Sequence, residues 1–259
     1  MTTQPPYIGL PNAFKQRLLA REKLIGCWSS LASPITAEIL GLAGFDWILL
    51  DGEHAPNDIS TFITQLMALK DSPSAPVVRP SSNDPVQIKR LLDSGFFNVL
   101  VPFVETAEQA RLAVSACRYP PGGIRGVSNL HRGNRYGTIS NYATLADEHI
   151  CVLIQIESQR GIEAIDEICQ VEGIDGIFVG PSDLAADLGH IGDPGHPQVQ
   201  EVIAYAYERI KISGLPIGTL APVTTHACSY LSMGASFVAV ASDQALLRIA
   251  AQEIRSRFS

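Results

Sequence analysis

The chain has 259 residues, about the length of one complete α/β barrel, of which 46% are hydrophobic and only 17% charged. A net charge of -7 and scattered Lys and Arg, with no basic run, argue against a nucleic-acid partner, because phosphate binding needs a basic patch. No apolar run reaches the ~18–20 residues of a membrane-spanning helix, and the opening MTTQPPYIGLPNAF lacks the basic start and apolar core of a secretory signal, so a cytoplasmic protein is expected.

In chain order, a leading helix is expected over 11–22. Short apolar, β-rich runs then read as buried parallel strands: LIGCWS (24–29), DWILLDG (46–52), APVVR (75–79) and NVLVPFV (98–104). Helical patterns at 34–44, 58–70, 85–94 and 107–117 follow them, the first with Pro34 just inside its start and Gly44 past its end. More than thirty residues separate Cys117 from the next strand, including YPPGGIRGVSNLHRGNRYG and a short helical piece. Connections of that length in compact barrels are usually functional or make subunit contacts. The runs CVLIQIE (151–157), GIFVGPSD (176–183), PIGTLA (216–221) and FVAVASD (237–243) complete eight strands, with helices over 161–171, 197–213, 224–233 and 243–257.

Eight strand–helix repeats without a linker predict a single (β/α)8 barrel, the TIM-barrel fold, over 1–259 with an extra N-terminal helix. The competing open, doubly wound sheet usually carries a Gly-rich turn after its first strand, and CWSSLASP has none. The five cysteines form no C-x-x-C pair and mostly sit in apolar stretches, which suits reduced core thiols.

A barrel of this kind places its chemistry at the C-terminal strand ends. There the sequence puts Asp51, Glu53 and His54, then Arg79, Glu105, Gln155 with Glu157, Ser182 with Asp183, and Ser242 with Asp243. The strand starts carry Lys23, Asp46, Asn98 and Asp175, which belong to the stability face. Gln155 and Glu157 are two apart, so they share the lumen face. Asp183 follows on the adjacent strand, and two carboxylates without a His or thiolate neighbour suit a hard cation such as Mg2+ or Mn2+. The alternative is a Glu157 that only pairs with an arginine. Asp51 beside His54 suits a carboxylate that orients a general base, against a His that is merely at the surface. Among the other histidines, His131 in the long loop is the one placed to enter the mouth. Arg79 ends an otherwise apolar strand, where it must meet an anion, a developing oxyanion or a lumen carboxylate. The turn GPSDL offers the Ser182 and Asp183 N–H groups to a substrate carboxylate. None of the five lysines falls at the mouth, so carbonyl activation there calls for a metal and not a Schiff base.

The segments GFDWILLDGEHAPNDI, RYPPGGIRGVS, VLIQIES and GIDGIFVGPSDLAADLG resemble the HpcH/HpaI family of metal-dependent pyruvate aldolases, over nearly the whole chain. The resemblance implies a phosphoenolpyruvate/pyruvate-type barrel that cleaves a 4-hydroxylated 2-oxo acid to pyruvate and an aldehyde. It implies Mg2+, with Mn2+ or Co2+ also suited, held by Glu157 and Asp183. Arg79 would face the carbonyl oxygen, and Gln155 would hydrogen-bond at the metal or beside it. The N–H groups of Ser182 and Asp183 would hold the carboxylate, and His54 with Asp51 would move the proton. Val127 and Leu220 would face the aldehyde half, and Asp93 would approach a neighbouring subunit's site. A homohexamer built as a trimer of dimers, exchanging the C-terminal helix, is implied as well. GCWSSLASPITAEILGLAGFDW with DISTFITQLMALK favours a glucarate-derived substrate over a heptanedioate-derived one. Another oxo-acid lyase or hydrolase on the same barrel, and a non-catalytic oxo-acid binder, are the competing readings.

Overall fold

In the computed structural model, which describes residues 10–258, the chain begins with α1 (Ala13–Leu19), whose N-cap Asn12 accepts from the Lys15 N–H. The absence of a leader, expected from the first residues, concerns a stretch outside the described residues. β1 (Leu24–Ser29), α2 (Pro34–Leu42), β2 (Trp47–Asp51), α3 (Ile59–Ala68), β3 (Ala75–Arg79), α4 (Pro85–Asp93), β4 (Asn98–Val101) and α5 (Ala107–Cys117) follow. The long connection holds α6 (Tyr142–His149). Then come β5 (Cys151–Ile156), α7 (Gln159–Glu163), α8 (Ile165–Cys169), β6 (Gly176–Val179) and α9 (Pro181–Asp187). The described chain ends with α10 (Pro197–Ser213), β7 (Ile217–Leu220), α11 (Thr224–Ser232), β8 (Phe237–Ser242) and α12 (Asp243–Ser256).

The eight strands pair in chain order, all parallel, and β8 closes on β1, as the strand–helix alternation predicts. Some boundaries differ for local reasons. β4 ends at Val101 because Pro102 has no N–H to continue the ladder. β6 stops at Val179, and Gly180-Pro181 opens a helix in place of more strand. The helix expected over 161–171 is two short ones that meet at Ala164.

Strand alternation sorts the apolar residues into two cores. Residues facing outward pack under the helices, and those facing inward fill the lumen: Leu24, Trp28, Trp47, Leu49, Val77, Leu100, Cys151, Leu153, Phe178 and Phe237. Phe14 and Leu18 of α1 join the inner group, so α1 plugs the N-terminal end of the barrel. The strand-start polar residues fasten this plug. The Asn12 amide donates to Asn98 Oδ1 at 2.7 Å, Lys15 pairs with Asp175 at 3.1 Å, and Arg17 with Asp46 at 2.9 Å. For Asp46, Asn98 and Asp175 the expected stabilising role is what the structure shows, while Lys23 is exposed.

The indole of Trp47 sits where a Cβ on Gly26 would fall, only 2.2 Å from Trp47 Cε2. Gly26→Ala should therefore overpack the lumen and cost about 1–3 kcal/mol. Thermal melting of the variant checks this, and an unchanged Tm would contradict the packing described.

Candidate active site

The inward alternation runs up to the opposite, C-terminal mouth. On β5, Cys151 and Leu153 lie in the lumen core, and Gln155 then Glu157 continue the same face into a cavity of about 160 Å3. Trp28, His54, Arg79, Phe178, Gly180, Pro181, Ser182, Asp183 and Leu220 also line it. A wider groove of about 580 Å3 between α5 and α8 holds none of the residues predicted for the site.

Glu157 is 3% exposed and held on both oxygens. The Gln155 amide donates to Oε2 at 2.5 Å, and the Phe103 backbone N–H donates to Oε1 at 3.0 Å. Phe103 adopts φ 55°, a conformation non-glycine residues rarely take and one that marks a backbone held for a purpose. Burial pushes the Glu157 carboxyl up to about 7; the Gln155 hydrogen bond and the Arg79 charge lower it, while Asp183 and Glu53 raise it further. Gln155 Oε1 is buried with no hydrogen-bond partner. Asp183 stands in the first turn of α9, whose N-cap Gly180 has no side chain to cap the Ser182 and Asp183 N–H groups. Among the described residues, no group of three or more His, Cys, Asp or Glu is arranged to hold a metal, so any ion here rests on the two carboxylates and neutral oxygens.

Across the mouth, β2 and β3 pair with Asp51 beside Arg79. The guanidinium donates Nε–H to Asp51 Oδ1 at 2.9 Å and Nη2–H to Oδ2 at 2.8 Å, and Nη1 lies 2.8 Å from Glu53 Oε2. It also stacks over Trp28, 5.2 Å from the ring centroid, and the Trp28 indole N–H reaches Asp51 Oδ2 at 3.4 Å. Burial alone would raise the Asp51 carboxyl, but the hydrogen bonds and charge of Arg79 outweigh it and hold it below its ordinary value. For Glu53, burial outweighs the attraction of Arg79 and the carboxyl is raised.

The expected Asp51–His54 pair does not form. Both Asp51 oxygens are taken by Arg79, and the carboxylate nearest the His54 ring is Glu53, with Oε2 3.8 Å from Nε2. Val127 is 64% exposed on the long loop and does not line the cavity, whereas Leu220 does. His131 does not enter the mouth; it is buried edge-on against Tyr142, 3.9 Å from Asp93. Asp93 is held within its own chain by the fully buried Arg125 at 2.7 Å. Two further strand-end acids serve the fold: Glu105 accepts from Ser158 Oγ at 2.8 Å, and Asp243 accepts the Ser30 and Leu31 N–H groups at 2.9 and 3.0 Å. Trp28, Phe178 and Gly180 were not predicted for the site. Their signal was positional, since Trp28 follows Leu24 and Gly26 at even spacing, and Gly180, just past β6, stands two residues after Phe178.

A parallel eight-stranded barrel with a buried lumen carboxylate, a second carboxylate on the adjoining helix turn, a braced arginine and an imidazole at one mouth is the frame of a carbon–carbon lyase of the aldolase class. The model of the HpcH/HpaI aldolase/citrate lyase family matches residues 24–250, and the chain belongs to that family. The 5-keto-4-deoxy-D-glucarate aldolase of Escherichia coli (strain K12) is 58% identical over 248 residues, 96% of this chain and 97% of that protein. The enzyme of that name from Citrobacter koseri is 59% identical over 248 residues, 96% of each chain. The crystal structure of an HpcH/HpaI aldolase/citrate lyase family protein from Burkholderia cenocepacia matches with a TM-score of 0.92 at 39% identity, covering 96% of this chain and 100% of that one.

Proposed function

We propose that the protein is a one-domain enzyme that reversibly cleaves 5-keto-4-deoxy-D-glucarate, that is 2-dehydro-3-deoxy-D-glucarate, to pyruvate and tartronate semialdehyde in glucarate and galactarate catabolism. The observation that carries this reading is 58% identity over 96% of the chain to an aldolase of that substrate, together with the intact mouth just described.

The mouth fits a divalent cation, Mg2+ with Mn2+ or Co2+ as alternatives. Glu157 and Asp183 would hold it, the orphaned Gln155 Oε1 offers a neutral acceptor beside it, and all the donors are hard oxygens. Bound there, it would supply Lewis-acid polarisation of the 2-oxo group, worth several kcal/mol.

The chain's own residues account for the remaining steps. The N–H groups of Ser182 and Asp183 bind the substrate carboxylate next to the 2-oxo group. His54 takes the proton of the C4 hydroxyl, the C3–C4 bond breaks, and its electron pair moves into the C2 carbonyl. Of the five guanidinium donors of Arg79, three face Asp51 and Glu53, leaving about two for the enolate oxygen. Protonation at C3 then releases pyruvate. Leu220 borders the aldehyde half. Lys15 is ion-paired at the plugged end, and no lysine lines the cavity, so borohydride with pyruvate should trap no adduct.

The direct test is pyruvate release from 5-keto-4-deoxyglucarate with Mg2+. The expected result is EDTA-sensitive turnover, faster than with 4-hydroxy-2-oxoheptanedioate. No release would sink the reading, and the reverse preference would move the substrate to the heptanedioate class.

Two further outcomes are expected. A Cβ on Gly180 would stand 2.6 Å from Glu157 Oε2 and 2.9 Å from its Cβ, so Gly180→Ala must displace the carboxylate. Mg2+ affinity should fall roughly tenfold to a hundredfold with little loss of fold, as read by calorimetry; unchanged affinity would refute the ligand role. A Glu157 carboxyl raised to about 7 holds its proton below that pH, and a bound cation must displace it. Affinity should therefore drop roughly tenfold per pH unit below 7 and level off above it. A flat profile from pH 5.5 to 8 would contradict this.

Assembly as a homo-oligomer, a hexamer of three dimers, belongs to the same proposal. α12 buries only Asp243, and Leu247, Ile249, Ile254 and Phe258 beyond it are exposed, as are Ile35, Ile39 and Leu42 on α2. Such faces suit other copies of the chain, and in that assembly Asp93 would approach a neighbour's mouth. No described helix is long and apolar enough to cross a membrane, and a cytoplasmic location goes with the proposed catabolic role.

A further inference from the structure

The imidazole of His54 lines the mouth, yet its side chain is 64% exposed, so the backbone of its turn and not the packing of the ring sets its place. That turn, residues 52–57, is fixed at both ends. At the first, the Gly52 N–H donates to the Arg79 carbonyl at 2.8 Å. A Cβ on Gly52 would stand 2.7 Å from that carbonyl oxygen and 3.0 Å from Phe62 Cζ, so only glycine lets the turn lie this close to β3 and α3. At the second, Asn57 Nδ2 donates to the Asp51 carbonyl at 2.7 Å and closes the turn into a ring.

Asn57 is held in its turn by α3. Its Oδ1 accepts from Gln65 Nε2 at 2.7 Å and from Thr61 Oγ1 at 3.0 Å. Gln65 is fully buried on the inner face of α3, beside Phe62 and Leu66. A leucine there would fill similar space with no polar group to desolvate, and a buried amide costs stability unless it is hydrogen-bonded. This amide is: Nε2 also meets the Thr61 carbonyl at 3.1 Å, and Oε1 faces the Ser29 hydroxyl at 3.4 Å. Ser29 Oγ lies 3.3 Å from Oδ2 of Asp243, the first residue of α12. A buried polar chain therefore runs from α12, past the end of β1 and through α3, to the turn that carries His54. A satisfied network of this kind rigidifies one arrangement.

We propose that Gln65 is a positioning residue of this site, its buried amide setting the His54 turn through Asn57 while Ser29 and Asp243 seat its other end. The inference rests on the retro-aldol reading, in which His54 takes the C4 proton. A misplacement of about 1 Å can cost about a hundredfold in rate, so an exposed base depends on a rigid turn.

The test compares wild type, Gln65→Leu and Asn57→Asp, each with and without His54→Ala. Asn57→Asp keeps the shape but turns an acceptor toward the Asp51 carbonyl, and as a half-buried change it serves should Gln65→Leu fold poorly. Steady-state cleavage of 5-keto-4-deoxyglucarate with Mg2+, Mg2+ affinity by calorimetry and amide hydrogen exchange over residues 52–57 are measured. Either single variant should lower kcat roughly tenfold to a hundredfold. Mg2+ affinity should stay within about twofold, because Glu157 and Asp183 stand on the other wall of the mouth. Exchange over 52–57 should quicken roughly tenfold, as for the loss of one hydrogen bond. In the His54→Ala background the residual rate should change less than about twofold, since a residue acting through His54 has nothing left to act on. Wild-type kcat or unchanged exchange in both variants would overturn the inference alone. So would an equal loss in the two backgrounds, or Mg2+ affinity falling in step with kcat, which would mean a general disturbance of the barrel. A wild-type protein that releases no pyruvate would overturn the retro-aldol reading instead, and exchange would still decide whether Gln65 holds the turn.

Discussion

Glu157→Gln is expected to lower pyruvate release about a thousandfold and to remove what remains of its response to EDTA. The side chain is fixed by a donor on each oxygen, the Phe103 N–H and the Gln155 amide. An amide in its place must turn its own donor toward one of those two donors, so the geometry fails along with the charge. In the proposed metal reading, losing one of the two carboxylate ligands would remove Lewis-acid stabilisation of about 4 kcal/mol, or about three decades in rate. The melting temperature should change little, because relief of a buried carboxyl raised to about 7 offsets the cost of a buried donor facing a donor. Activity within tenfold of wild type would remove Glu157 from the site.

Arg79→Met should fail in two ways at once. Turnover is expected to drop about a hundredfold to a thousandfold, as when one preorganised oxyanion donor is removed. Stability should fall by about 3–5 kcal/mol, a Tm loss of roughly 10 °C, because the buried Asp51 and the half-buried Glu53 lose their shared cation. Asp51 is 1% exposed and next to Glu53, so the unpaired charges repel in a dry setting. Adding Asp51→Asn should restore much of the stability and none of the activity. Restored activity in the double variant would mean that Arg79 serves only to neutralise Asp51.

Periodicity made most of the fold and half of the site legible. Eight apolar runs alternating with helices point to a closed barrel, and even spacing on β5 puts Gln155 and Glu157 on one face as soon as that face is known to be the lumen. Asp183 was expected at the end of the next strand; the structure sets it instead in the first turn of α9, because Gly180-Pro181 ends the strand and starts a helix. The partner of His54 could not be read, because closeness in sequence favours Asp51 while the competition comes from another strand. Only the β2–β3 register sets Arg79 beside Asp51, where a bidentate pair outcompetes an imidazole. Val127 lies in a long loop with no periodicity to fix its direction. Trp28 and Phe178 were read as ordinary core, and they are core on one side; what a pattern of apolar residues lacks is the height in the barrel at which packing gives way to a pocket.

The α1 plug makes the barrel a room with one door. Phe14 and Leu18 sit under the lumen aromatics, with Lys15 and Arg17 tied down at the rim. Both products of a cleavage must therefore leave by the mouth through which the substrate came. In the proposed binding mode the pyruvate half is held against Glu157 and Arg79, which are buried, while the other half borders the half-buried Leu220, so the aldehyde should depart before pyruvate. In the condensing direction the order reverses: an aldehyde that enters first stands in the doorway, and excess aldehyde should inhibit by keeping pyruvate out.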